Sequence, residues 1–166
     1  MSRPALSRTR HALRHSAALA LLLLAVACGG TGLNPGDDVT SKHVSSRLAL
    51  MTGQKAEMDV LIAMTSGRTG FDRARAKAAR KHLVRSTRGI RKAFRKPRLD
   101  RRSHARVLIW QSWDDFKGRA AAAETAAKAL NIRNLKGLRR TLPGLMQRCQ
   151  SCHETYRDIP NTFITH

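Results

Sequence analysis

The sequence predicts an all-α fold, an antiparallel four-helix bundle, and three observations carry that expectation. Only 4% of the 166 residues are aromatic, and β-branched side chains are scarce, which argues against a sandwich or barrel. The apolar fraction of 42% is too high for a disordered chain despite a net charge of +21. Apolar residues recur at three- and four-residue intervals in stretches separated by Gly, Pro or Asn, with no strand-period run, phosphate-binding glycine loop or internal repeat between them. The length suits one domain with a real core, preceded by a leader.

Residues 1–27 read as an export signal. Arg3, Arg8, Arg10 and Arg14 form a basic start, and Ala17 to Ala27 is an unbroken apolar run, too short for the roughly 20 residues that cross a bilayer. Ala25-Val26-Ala27 fits an ordinary cleavage site, and Ala27-Cys28 also fits the lipobox of bacterial lipoproteins; both cut the same bond and differ in whether Cys28 is lipidated. Residues 28–40 then form a flexible, glycine-containing tether. The expected location is the periplasm, with membrane attachment through Cys28 left open. An oxidising compartment does not preserve free thiols, so any cysteine in the mature domain needs a chemical fate.

The domain is expected over 41–159, with 160–166 as a tail. In the first helix, residues 41–66, Val44, Leu48, Met51, Met58 and Leu61 make one apolar stripe. Gly67 to Gly70 breaks it, and Asp72 caps a second helix whose apolar side is Ala79, Leu83, Ile90 and Phe94. Pro97 follows its end and opens a connection in which Leu99, Val107, Leu108, Ile109 and Trp110 are candidates to pack. Ser112 is the expected cap of an alanine-rich third helix running to Leu130, with Asp114 and Asp115 in its first turn. Asn134 is the expected cap of the fourth, which presents Leu135, Leu138, Leu142, Leu145, Cys149, Cys152 and His153 on one side, with a kink expected at Pro143 and a stop before Pro160.

Cys149, Cys152 and His153 stand at i, i+3 and i+4, so the three side chains leave one helix face within about a turn. Two thiols can add to the two vinyl groups of one porphyrin while the adjacent imidazole ligates its iron, and covalent attachment gives the thiols their fate. Zinc would need a fourth ligand, and the mature chain has no second Cys-x-x-Cys and no His-x-x-x-His. A thioredoxin-type pair would need a strand-to-helix turn, which the sequence lacks.

The mature domain resembles the cytochrome c prime family, the class II cytochromes c. The resemblance covers residues 41–159 and rests on Arg47 with Met51 in the first helix, Gly70-Phe71-Asp72 opening the second, Phe94 closing it, Ile109-Trp110 with Phe116, and above all Cys149-Gln-Ser-Cys152-His153-Glu-Thr-Tyr156-Arg157. It implies a four-helix bundle with one covalent haem c, held by Cys149 and Cys152 and ligated by His153. It places Arg157 beside the proximal histidine face, one helical turn beyond it. Met51 matches the residue over the distal haem face, and Arg47 the arginine that reaches a haem propionate; the alternative for Arg47 is a solvated surface charge.

The resemblance implies two branches of function. A methionine at position 51 that ligates iron gives a low-spin His/Met electron carrier, whereas one that merely covers the iron leaves a five-coordinate site open to nitric oxide or carbon monoxide. Electron transfer without enzymatic turnover is the expected function, and a homodimer is left open. Fifteen Lys and Arg against one acid, Asp100, lie between residues 73 and 106. That density suits an acidic redox partner or an anionic membrane surface. A polyanion-binding helical module is the alternative from another class; export and the lack of a nucleic-acid motif argue against nucleic acid.

Overall fold

The computed structural model describes residues 41–158, so the expected export leader, Cys28 with its expected tether, the last residue of the expected domain and the expected tail 160–166 lie outside the described residues. Five helices occur among them: α1 Lys42–Thr65, α2 Arg73–Phe94, α3 Leu108–Gln111, α4 Trp113–Ala129 and α5 Leu135–Tyr156. The four long ones agree with the sequence reading; α3 is a single extra turn. Packing runs α1 to α2, α2 to α4, α4 to α5, and closes with α5 against α1. None of these helices is long and apolar enough to cross a membrane.

Local chemistry sets the boundaries. Gly67 turns the chain after α1 at φ 82°, a conformation that side chains with a Cβ avoid. Asp72 accepts from the amides of Ala74 (2.7 Å) and Arg75 (3.1 Å), and Asn134 from that of Gly137 (2.8 Å), which satisfies exposed helix-start donors at each place. Each such cap stabilises its helix by about 1 kcal/mol. Ser112 differs from expectation: it occupies the position before α4 but makes no side-chain capping bond. Instead its backbone closes α3, its amide donating to the Leu108 carbonyl at 2.9 Å, while its carbonyl accepts from Phe116 at 3.0 Å. Pro143 stands on the exposed side of α5, and the helix continues through it from Leu135 to Tyr156.

The core has two parts. One gathers Met58, Leu61, Met64, Leu83, Leu138, Leu142 and Leu145 with small alanines between the helices. The other gathers Ile90, Phe94, Ile109, Phe116, Ala120 and Tyr156. Cys149 packs against the first and Cys152 against the second. The expected packing of the connection is corrected in part: Ile109 is buried within α3, but Leu99 and Val107, which lie before that helix, are 45% and 55% exposed. Trp110 anchors this turn by donating its indole N–H to the Phe94 carbonyl at 2.7 Å.

Candidate functional site

A cavity of about 250 Å³ opens between α1, α2, α4 and α5. Its walls are mostly apolar, with Val44, Ile90, Phe94, Ile109, Phe116 and Ala120 among them. Into it come Met51 from α1 and Cys149, Cys152 and His153 from the end of α5. The stripe read on α1 therefore splits by environment: Val44, Met58 and Leu61 are buried, whereas Leu48 and Met51 remain half-buried where they line the cavity.

Both thiols are pushed up to about 11 by burial, so neither is an activated thiolate at neutral pH. Burial, then the Arg157 charge, lowers the pKa of His153 and favours its neutral, ligating form. Its Nδ1 is buried without a hydrogen-bond partner. Among the described residues, no group of three or more His, Cys, Asp or Glu is arranged to hold a metal ion by itself. Two protonated thiols and a neutral imidazole facing one apolar cavity do fit a haem that is attached covalently.

Both arginines read from the sequence line the cavity. Arg47 is 3% exposed, which corrects the surface-charge alternative. Its Nε donates to the Ala93 carbonyl (3.1 Å), Nη1 to that of Arg98 (2.7 Å) and Nη2 to that of Lys96, so it gathers the carbonyls left open where α2 ends. Its guanidinium also lies 4.9 Å from the Phe94 ring centre and 5.2 Å from that of Trp110. Burial lowers its pKa, and Asp100 opposes that in part.

Arg157 lines the cavity but is not on the helix, as the one-turn spacing had implied. The chain leaves α5 at Tyr156 and becomes extended, because this end pairs with the connection: Arg106 N–H donates to the Tyr156 carbonyl and Asp158 N–H to that of His104, both at 2.9 Å.

Sequence reasoning missed Arg119. From the alanine-rich α4 it lines the cavity, donates Nε to Asp115 (2.7 Å), and donates Nη1 to both the carbonyl and the hydroxyl of Ser151 at 2.9 Å. Ser151 lies between the two cysteines, so Arg119 ties their turn to α4. Tyr156 donates its hydroxyl to the same carboxylate at 2.6 Å, and its ring packs edge-on against Phe116. Burial and the Asp115 carboxylate push the phenol up to about 12, while the Tyr156 and Arg119 hydrogen bonds hold Asp115 below the usual carboxylate range. The Asp115/Arg119 spacing of four was a visible signal; the reach to Ser151 was not.

The comparisons with known proteins agree with this geometry. The family profile described as Cytochrome C' matches residues 42–157. A cytochrome c-556 of Agrobacterium fabrum is 30% identical over 142 residues, covering 83% of this chain and 92% of the relative. The solved cytochrome c' of Rhodobacter sphaeroides matches with a TM-score of 0.64 at 27% identity, over 69% of this chain and 94% of that one. The nitric oxide complex of a point mutant of cytochrome c prime from Alcaligenes xylosoxidans has the same fold, with a TM-score of 0.63, 23% identity and coverage of 70% and 94%. Proteins of this kind carry covalently bound haem c, for which Cys149 and Cys152 are present in the described domain. On the profile match over most of its length, the chain belongs to the cytochrome c' family.

Proposed function

We propose that this protein is an exported electron carrier whose haem c is held by Cys149 and Cys152 and whose iron is ligated by His153 and Met51. The observation that carries this reading is the convergence of a thioether from α1 with two thiols and an imidazole from α5 on one apolar cavity. Haem held there would supply a reversible one-electron iron couple.

This chain's residues do the rest. Cys149 and Cys152 would hold the haem through its two vinyl groups, one thioether from each thiol, and neutral His153 would offer one ring nitrogen to the iron. Arg119 and Asp115 hold the turn that carries the cysteines. Arg157 places a positive charge beside His153, and Arg47 retains two N–H groups beyond those spent on carbonyls, which suit a propionate. The apolar walls exclude water, which favours rapid exchange with little reorganisation.

Export to the periplasm follows from the leader, with Cys28 as a lipid attachment point whose loss would release the chain from membranes. The partner is an acidic redox protein that docks on the cationic side of α2.

Mass spectrometry after acid-acetone extraction tests the attachment: one haem should remain bound, and replacing Cys149 and Cys152 by Ser should abolish it. A reduced spectrum with and without carbon monoxide tests the sixth ligand. Low spin with weak carbon monoxide binding supports Met51 ligation. A high-spin, gas-reactive iron would assign the protein to the second reading, a five-coordinate gas binder with Met51 as lid, which the mainly apolar cavity wall favours.

A further inference from the structure

The α1 wall of the cavity carries a polar side chain with an unpartnered buried donor. Gln54 lines the cavity three residues after Met51, a spacing that puts the two on the same side of α1 one turn apart. Its Nε2 is buried and has no hydrogen-bond partner. A buried carboxamide loses its water hydrogen bonds and recovers them only from a partner, so an unmatched donor on a cavity-lining side chain lacks an acceptor, which the protein does not supply.

The other α1 residues at the cavity differ from Gln54. Val44, Leu48 and Met51 are apolar, the Arg47 guanidinium already donates to three carbonyls, Lys55 donates to Asp59, and Thr52 is exposed. The thiols and the imidazole enter from α5, a different helix. Gln54 is thus a carboxamide one helical turn from Met51, on a different helix from the attachment turn.

We propose that Gln54 is a hydrogen-bond donor to whatever acceptor occupies the iron's second axial position. This rests on the haem assignment above. The acceptor chemistry has two sources: the sulfur of Met51, a weak acceptor, or the outer atom of a small exogenous ligand where the methionine stands aside. In either case the residue tunes the iron through that acceptor and does not ligate it.

The two sources separate experimentally. In haem-loaded protein with Met51 intact, a donor on the sulfur withdraws electron density and favours the reduced iron. Gln54→Leu should then lower the midpoint potential, and Gln54→Asn, which keeps the amide on a shorter stem, should lower it less. With carbon monoxide as the probe, on the wild type or on Met51→Ala if the thioether keeps the gas off, a donor at the outer atom lowers the C–O stretching frequency. Gln54→Leu should raise it.

A shift in potential without a shift in the stretch identifies Met51 as the acceptor; the reverse identifies an exogenous ligand. Unchanged values of both, in variants that carry covalent haem, overturn the proposal while leaving the haem assignment intact. A wild-type chain that carries no covalent haem by mass overturns both.

Discussion

Arg47 offers the sharpest test of what holds the cavity together. Replacing it with Met keeps an unbranched apolar stem of similar length but removes the guanidinium. Three carbonyls, of Ala93, Lys96 and Arg98, lose their donor, and the cation leaves the faces of Phe94 and Trp110. Hydrogen bonds to a charged donor are worth about 1.5–3 kcal/mol each in closed surroundings. Lys96 and Arg98 are exposed, so water reaches that region and about 1 kcal/mol per bond is the appropriate scale. Two cation–π contacts add roughly 0.5–1 kcal/mol each. Relief from burying the charge offsets part of this total, leaving a net loss of about 3–4 kcal/mol. For a domain of roughly 120 residues, whose unfolding entropy is about 0.25 kcal/mol/K, that is a fall in Tm of about 12–16 °C. Thermal melts of the haem-loaded wild type, Arg47→Met and Arg47→Lys would measure it. Lysine keeps the charge without the planar fork and should recover less than half of the loss. A Tm within about 3 °C of wild type for Arg47→Met would refute the clamp. A changed midpoint potential at unchanged Tm would instead show that the guanidinium serves a propionate alone.

Two further outcomes follow from the charges. Tyr156 is the sole tyrosine of the chain, so its ultraviolet tyrosinate band reports one site, and half-ionisation is expected near pH 12. Because the folded value lies above the unfolded value of about 10, the corresponding stability is fully present below pH 10 and disappears as the pH rises through about 12. Asp115→Asn should bring the titration down, and a wild-type midpoint at the ordinary phenol value would contradict the buried contact. On α2, Arg88 and Arg91 pair with Glu124, and Arg80 donates to the Lys128 carbonyl, so the exposed Lys77, Lys81 and Arg85 are the better candidates for a docking face. Their joint replacement by Gln should slow electron exchange with an acidic partner at low salt and remove most of its salt dependence; rates indifferent to both would eliminate that face.

Side chains whose chemistry is set by near neighbours were legible in the sequence, and those defined by distant backbone were not. The spacing of Cys149, Cys152 and His153 fixes one helical face whatever the rest of the chain does. The α5 stripe from Leu138 to Leu145 is buried as its periodicity requires. Asp72 and Asn134 cap because the amides they reach lie two or three residues ahead. Arg119, by contrast, reaches Ser151 across 32 positions, and Arg47 gathers carbonyls more than 45 positions away. No periodicity encodes such contacts. Arg157 shows the same limit in reverse, since its spacing from His153 suggested a further helical turn until pairing with residues 104–106 drew the chain out straight. The cavity depends on both kinds of information. Local pattern delivers thiols, imidazole and thioether to it, while long-range donors, Arg119 on the cysteine turn and Arg47 on the end of α2, tie its walls together. Substitutions at these two arginines should therefore disturb the iron's surroundings although neither arginine need touch the iron.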